Sequence, residues 1–360
     1  MSDMSDLTID MSYLTFDNEA YRRLDMKSTA LAPIASTAVS IEDSLQDAAR
    51  AAENYAARSR AKNTRRAYES DFKHFATWCG SSGLQCLPAE PQTVCLYISS
   101  IAVEYKPSTL ERRLSSISEV HANQNYESPC KHPAVKAVLK GIRNSAADAG
   151  RRTTQKAPAL KDDITAMVKQ LPDTLTGARD RALILVGFGA ALRRSELVAL
   201  TVEDITLNGD KGMTLNVRRG KTDQAGEGYL KAITCGKNKS TCAATAVRHW
   251  LNLSGITSGP LFRPINRHGQ LRAQTPTSAA NLTDHSVARI VKECAAGAGL
   301  DASKYSGHSL RAGLATSAAL AGASALDIAR QTGHQSLETV KRYVRVADVW
   351  RNNVTAMVGL

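Results

Sequence analysis

Apolar residues recur at helical spacing through most of the chain, and two short stretches read as strands instead. A helix is expected to begin near Ser44 and a second near Asn63 or Thr64, the latter carrying Tyr68, Phe72, Phe75 and Trp78 at i, i+4, i+7 and i+10. That spacing puts the rings on one face, so they read as core rather than as a base-stacking surface. Pro88 to Pro91 opens a helix through Val94, Leu96 and Ile101. A capping box, Ser108 with Glu111, then introduces a helix with Leu110, Leu114, Ile117 and Val120 inward and Arg112 and Arg113 outward. Another helix follows His132-Pro133, with Val135, Val138, Leu139 and Ile142 on its apolar face. Together these make an all-helical domain over 46–145, followed by a polar, basic stretch without apolar periodicity at 146–159 that reads as a linker.

From Leu160 the chain is helical again through Ile164 and Met167, and an apolar helix from Arg179 to Gly189 runs into Ala191-Leu-Arg193-Arg194-Ser-Glu196. Such surroundings make an arginine costly to bury unless paired, and Glu196 lies three residues after Arg193 as its natural partner. Met213–Arg219 and Tyr229–Thr234 read as strands, with Lys221 on or near the turn between them. Helices are expected at Cys242–Leu253, His285–Gly297 and Ser309–Leu320. A short helix capped by Ser324 ends at Thr332, with Gly333 as its left-handed terminator, and Ser336 caps a last helix whose stripe is Leu337, Val340 and Val344. Tyr343 falls at the edge of that stripe, where it is either a packing residue or a presented hydroxyl. The fold class expected is mainly α with a small β-sheet.

Charge sharpens the picture. The formal net charge is +12, yet residues 1–50 carry −5, so the remainder holds an excess that suits a polyanion. Residues 1–45 read as an acidic, disordered arm. The seven cysteines are scattered without a Cys-x-x-Cys pair and suggest reduced thiols in a cytoplasmic protein, without a zinc site. No apolar run is long enough for a membrane span and no export signal is evident, so no membrane partner is expected.

The chemistry concentrates near the carboxy terminus. His308 and Arg311 share the first turn of a helix, His334 sits on a tight turn, and Tyr343 lies nine residues beyond it. Taken singly, each has an ordinary reading as a cap, a surface charge or a core-edge ring. The stretch Leu326–Tyr343 also reads as a helix-turn-helix, which by itself would suffice for a non-catalytic DNA-binding regulator.

The ordered set Leu-Arg193-x-Ser-Glu-Leu, Lys221, His308-x-x-Arg311, Gly-His334 and Tyr343 resembles the signature of the tyrosine recombinase (phage integrase) family. Asn63–Tyr68 and Pro107–Leu114 resemble the core-binding domain of its Cre-like members, although His334 stands where Cre has Trp and the acidic arm has no clear counterpart. The resemblance implies a helical core-binding domain and a mixed α/β catalytic domain over 160–346, with 347–360 a helix that is exchanged between protomers. It implies that Tyr343 attacks a DNA phosphate held by Arg193, Arg311 and His334, with His308 assisting the phenol, Lys221 protonating the leaving oxygen and Glu196 supporting Arg193. The product would be a 3′-phosphotyrosyl linkage made without metal, ATP or other cofactor. The implied partners are double-stranded DNA with an inverted-repeat site and three further copies in a tetramer, with Arg65, Arg66, Arg112, Arg113, Arg151 and Arg152 as candidates for DNA contact. A type IB topoisomerase, which relaxes strands by similar chemistry, remains an alternative.

Overall fold

A computed structural model describes residues 47–48, 50–52, 54–55, 62–151, 156–218, 220, 227–272, 281–348 and 358, with the backbone alone at 62 and 344–348. The chain divides into two compact units, 1–154 and 155–360.

In the first unit the described residues between 47 and 55 are helical, and four long helices follow: α1 (Lys62–Ser81), α2 (Pro91–Ser100), α3 (Pro107–Asn123) and α4 (Pro133–Asp148). Phe72 and Phe75 of α1, Val94 and Ile98 of α2, Leu110, Leu114, Ile117 and Val120 of α3, and Val135 of α4 close one core. The helix α3 starts two residues earlier than its sequence suggests. Pro107 takes the first helical position, where its missing N–H costs nothing, and Lys106 is the cap, so no Ser108–Glu111 capping box forms. Likewise α4 runs to Asp148, placing the first residues of the expected linker inside a helix.

Arg113 departs most from expectation. It is 5% exposed rather than outward, with its Nη1 donating to the Tyr97 hydroxyl at 2.8 Å, lying 2.9 Å from His74 Nδ1, and its guanidinium stacked 4.0 Å from the Tyr105 ring. Asp71, 4% exposed, sits 3.7 Å from Arg113 and takes a bidentate pair of bonds from Arg112 at 2.7 and 3.0 Å. A guanidinium can be buried here because an anion, a hydroxyl and a ring face meet it. Arg113 is therefore a core residue of this unit and is withdrawn from the set of DNA-contact candidates.

The second unit is built on α6 (Leu175–Gly189), whose residues Ala182–Val186 are all buried. Around it lie α5 (Lys161–Lys169), α7 (Arg194–Ala199), α8 (Ala243–Ser254), α9 (Asp284–Gly297) and α10 (Gly307–Leu320). The sheet is antiparallel in the order β1 (Ile205–Leu207), β2 (Gly212–Val217), β3 (Tyr229–Thr234), with Leu215 opposite both Ile205 and Lys231. Three residues are too few to show an alternating pattern, which is why β1 is not evident in the sequence. A small second cluster joins α10 to α11 (Ala325–Thr332) and α12 (Leu337–Asp348) through Ala315, Ala319, Ile328, Ala329 and Val340, with Tyr343 packed at its margin. All seven cysteines are free, and no helix among the described residues is long and apolar enough to cross a membrane.

One contact fixes where α10 can lie. The Ala159 amide donates to the Ser309 carbonyl at 2.9 Å, and a Cβ built on Gly313 would sit 1.8 Å from the Ala159 carbonyl oxygen. Gly313→Ala is expected to cost about 1–3 kcal/mol by forcing two backbones apart, read as a lower Tm in calorimetry of the whole chain.

Candidate active site

The site grows from the end of α6. Its chain reverses through Ala191, a non-glycine residue with φ of 51°, and the carbonyls of Gly189, Ala190 and Ala191 lie beyond the last turn that could bond them. Three side chains from elsewhere in the unit supply the missing donors. Gln331 Nε2 reaches the Gly189 carbonyl at 2.8 Å, Lys231 Nζ the Ala190 carbonyl at 2.7 Å, and Arg311 Nη1 the Ala191 carbonyl at 2.8 Å. Two of the donors are cations, which the negative end of the helix dipole favours.

Arg193 follows at once as the cap of α7. Glu196, 3% exposed, accepts the Arg193 amide at 2.9 Å and its Nη1 at 2.6 Å, so one carboxylate both starts the helix and holds the guanidinium. Burial alone would raise the Glu196 pKa, but the Arg193 amide, the Arg193 guanidinium and Arg311 outweigh it and hold the group below the ordinary glutamate value. Arg311 is 1% exposed, and its Nη2 has no hydrogen-bond partner among the described residues. Burial and then the Arg193 charge lower its pKa.

The two histidines join the same field. His308, exposed on the first turn of α10, is held below the usual imidazole value by the protein around it and by Arg311, Arg194 and Arg193. Gly333, at φ of 69°, ends α11 in the left-handed conformation and turns the chain so that His334 folds back beside Thr332. The Thr332 hydroxyl donates to the Ile328 carbonyl at 2.6 Å and lies 2.7 Å from His334 Nδ1, so its oxygen accepts the Nδ1 proton. The His334 ring centroid is 6.0 Å from that of Tyr343. Burial, reinforced by Arg311, Arg193, His308 and Lys231, pushes the His334 pKa down to about 4.

Arg193, Glu196, His308, Arg311, His334 and Tyr343 are thus brought together, each within electrostatic reach of others in the group. Lys221 and Arg152 lie outside the described residues. In the first unit Arg66 is exposed, Arg65 half-buried, Arg112 paired with Asp71, and Arg151 donates to the carbonyls of Ala102 and Val103. Sequence reasoning passed over Lys231, Gln331 and Thr332. Lys231 is 4% exposed, and burial, with Arg311, brings its ammonium down to about 8. The strand's two-residue period, which puts Lys231 on the same face as Tyr229 and Ile233, was the available signal.

The phage integrase family matches over residues 160–349, and the phage integrase N-terminal SAM-like domain over 54–123. The integrase/recombinase xerD homolog of Selenomonas ruminantium is 38% identical over 300 residues, covering 82% of this chain and 85% of that protein. The chain is a tyrosine recombinase of the phage integrase family. Recombinase cre of Escherichia phage P1 is 26% identical, over 80% of this recombinase and 84% of that one. Among solved structures, XerH bound to palindromic difH substrate aligns with a TM-score of 0.54 at 16% identity, over 75% of this chain and 72% of that one. A lambda integrase dimer bound to a COC′ core site aligns at 0.53 and 15%, over 86% and 97%. These two likenesses establish the shared fold. Family membership sets aside the non-catalytic regulator, for which the α11–α12 turn alone would have been enough.

The pKa of His334 gives the recombinase a measurable signature. Between about 4 and 6.5 the unfolded chain binds a proton that the folded His334 refuses, so stability is full above 6.5 and is lost as the pH falls towards 4. His308 acts in the same direction. Calorimetry without DNA is expected to show Tm falling from pH 7 to pH 5, and His334→Gln is expected to flatten part of that fall.

Proposed function

We propose that this recombinase cleaves and rejoins double-stranded DNA through a 3′-phosphotyrosyl intermediate formed on Tyr343. The observation that carries the reading is the Arg311 guanidinium, buried at 1% exposure beside a second arginine with one nitrogen left unbonded among the described residues. A buried donor without an acceptor costs about 1–3 kcal/mol, a penalty that a phosphate oxygen would remove. Arg193 and Arg311 together offer a phosphodiester the two cations its non-bridging oxygens need as an attacking oxygen adds charge.

In this mechanism the Tyr343 hydroxyl attacks phosphorus, its proton passing towards His308, and the bond to the 5′-oxygen breaks. His308 suits that duty because its lowered pKa leaves it neutral near pH 7. Lys221, assigned on the family signature, protonates the departing oxygen. His334 donates to a non-bridging oxygen once the phosphate charge has raised its pKa enough for both ring nitrogens to carry protons. Attack by a second 5′-hydroxyl reverses the steps and joins the strands, and the retained phosphoester energy makes metal and ATP unnecessary.

The wider assembly follows the same reading. The helical first unit contacts DNA through Arg65, Arg66 and Arg151, with Arg112 sharing its charge with Asp71, and Arg152 in the basic stretch after α4. Four copies act on two inverted-repeat sites of a mobile element in the cytoplasm, the 347–360 segment passing between protomers. Strand exchange rather than simple relaxation is favoured by the relatives, which are named as recombinases over most of this chain's length. Tyr343→Phe is expected to retain DNA binding and to yield no covalent protein–DNA product on a nicked suicide substrate in denaturing electrophoresis. Undiminished product would exclude Tyr343 as the nucleophile. Excess EDTA is expected to leave cleavage by the unaltered protein unchanged, and its loss would exclude the metal-free route.

A further inference from the structure

We propose that Lys231 is a positioning residue for the recombination chemistry, a clamp that sets the His334 turn at a fixed distance from the Arg311 seat. The inference rests on the proposed function of the site. Lys231 stands on β3 opposite Leu215, and its Nζ donates to two carbonyls 141 positions apart, Ala190 at the end of α6 and Gln331 at the end of α11. Each of those residues adjoins one that orients a site group. Ala190 precedes Ala191, whose carbonyl receives Arg311 Nη1 at 2.8 Å. Gln331 precedes Thr332, whose hydroxyl oxygen lies 2.7 Å from His334 Nδ1. A displacement of either helix end is therefore felt by both through one ammonium.

Gln331 doubles the clamp in the opposite direction. Its side-chain amide leaves α11 for the Gly189 carbonyl at 2.8 Å and the Ala232 carbonyl of β3 at 3.3 Å. Three elements thus meet in one set of bonds, with α6 accepting, β3 both donating and accepting, and α11 doing both. Elsewhere in this unit apolar packing holds the helices, but α11 is short and adds only Ala325, Ile328 and Ala329 to its cluster. A buried lysine near two arginines is electrostatically costly. Among the described residues its Coulomb partners are Arg193 and Glu196 at the start of α7, Arg311 on α10 and His334 after α11, and of these Glu196 alone opposes the repulsion. A methionine of similar shape would avoid that cost, so the ammonium's value lies in the geometry its two donors impose.

The test measures single-turnover formation of the covalent DNA complex by the full chain, DNA affinity and Tm in K231M, K231R and Q331A. For K231M the cleavage rate at saturating DNA is expected to fall roughly 100-fold, the loss that a misplacement of about 1 Å produces, while Kd stays close to the parent value and Tm falls only modestly, the unpaired Ala190 and Gln331 carbonyls being offset in part by removal of a costly buried charge. K231R, which keeps two donors for the two carbonyls, is expected to recover part of the rate. K231M and Q331A together are expected to lose less than the product of their separate losses, because both break one clamp. A parental rate in K231M would overturn the inference, as would losses in Kd and Tm that match the loss in rate. A 5′-bridging sulfur substrate, whose leaving group needs no proton, separates the alternative: full rescue of K231M by sulfur would make Lys231 a proton donor and overturn the positioning role. If K231M does not fold, Q331A alone carries the test, and a parental cleavage rate in Q331A overturns the clamp. If the unaltered protein forms no covalent complex, the reading of the site falls and the clamp's role falls with it. If the unaltered protein forms the complex and K231M does so equally well, only the clamp is lost.

Discussion

The carbonyls of Gly189, Ala190 and Ala191 end a helix enclosed by the rest of its unit, and Ala190 and Ala191 are wholly shielded from water. Backbone acceptors in such a place must find donors within the protein. The three that arrive come from β3, α10 and α11, segments separated from α6 by some 40 to 140 positions in the chain. Satisfying one helix terminus therefore gathers the sheet, the His308–Arg311 helix and the turn bearing His334. The site is a consequence of that requirement as much as of any attraction among its own residues, which for the most part repel.

That repulsion is itself informative. Burial, and after it the charges of neighbouring cations including Arg193, lowers the proton affinity of Arg311, Lys231 and the two histidines, and Glu196 is held anionic among them. The unliganded protein stores an excess of positive potential at a place where Arg311 already lacks an acceptor for one nitrogen among the described residues. A preformed cationic pocket needs little rearrangement when a phosphate gains charge, the condition under which electrostatic stabilisation of a transition state is most effective. The cost of holding it is met by α6 and the apolar core behind it, in which Leu183, Ile184, Val186, Trp250 and Phe262 are fully buried.

The departures from sequence reasoning share a cause. Arg113 looked like a surface charge because its neighbours in the chain are polar, whereas its true partners, Asp71, His74 and Tyr97, lie 16 to 42 positions away. Ser108 satisfied a capping pattern, but Pro107 at the first helical position settled the start of α3 two residues earlier. Lys231 carries no local signal of its role, because a strand's inward face is apolar by default and its two acceptors, the Ala190 and Gln331 carbonyls, are 41 and 100 positions away. In each case a local rule was sound and a non-local partner, or a stronger local constraint, overrode it.

Much of the helical framework, both long strands, the terminator at Gly333 and the pairing of Arg193 with Glu196 are decided by short-range physics, so the chain alone determined them. The aromatic stripe of α1, the inward face of α3 and the left-handed turn before His334 each follow from spacing within about a dozen residues. The family signature is legible for the same reason: its residues keep their order and local spacing. What only the tertiary structure decided is which side chains complete one another across the unit. That Arg311 is seated on the Ala191 carbonyl, that Lys231 and Gln331 brace the same helix end, and that Thr332 holds the His334 ring depend on where distant backbone groups are left unpaired. Such vacancies exist only after the helices have packed, because they are created by the exclusion of water that packing brings about.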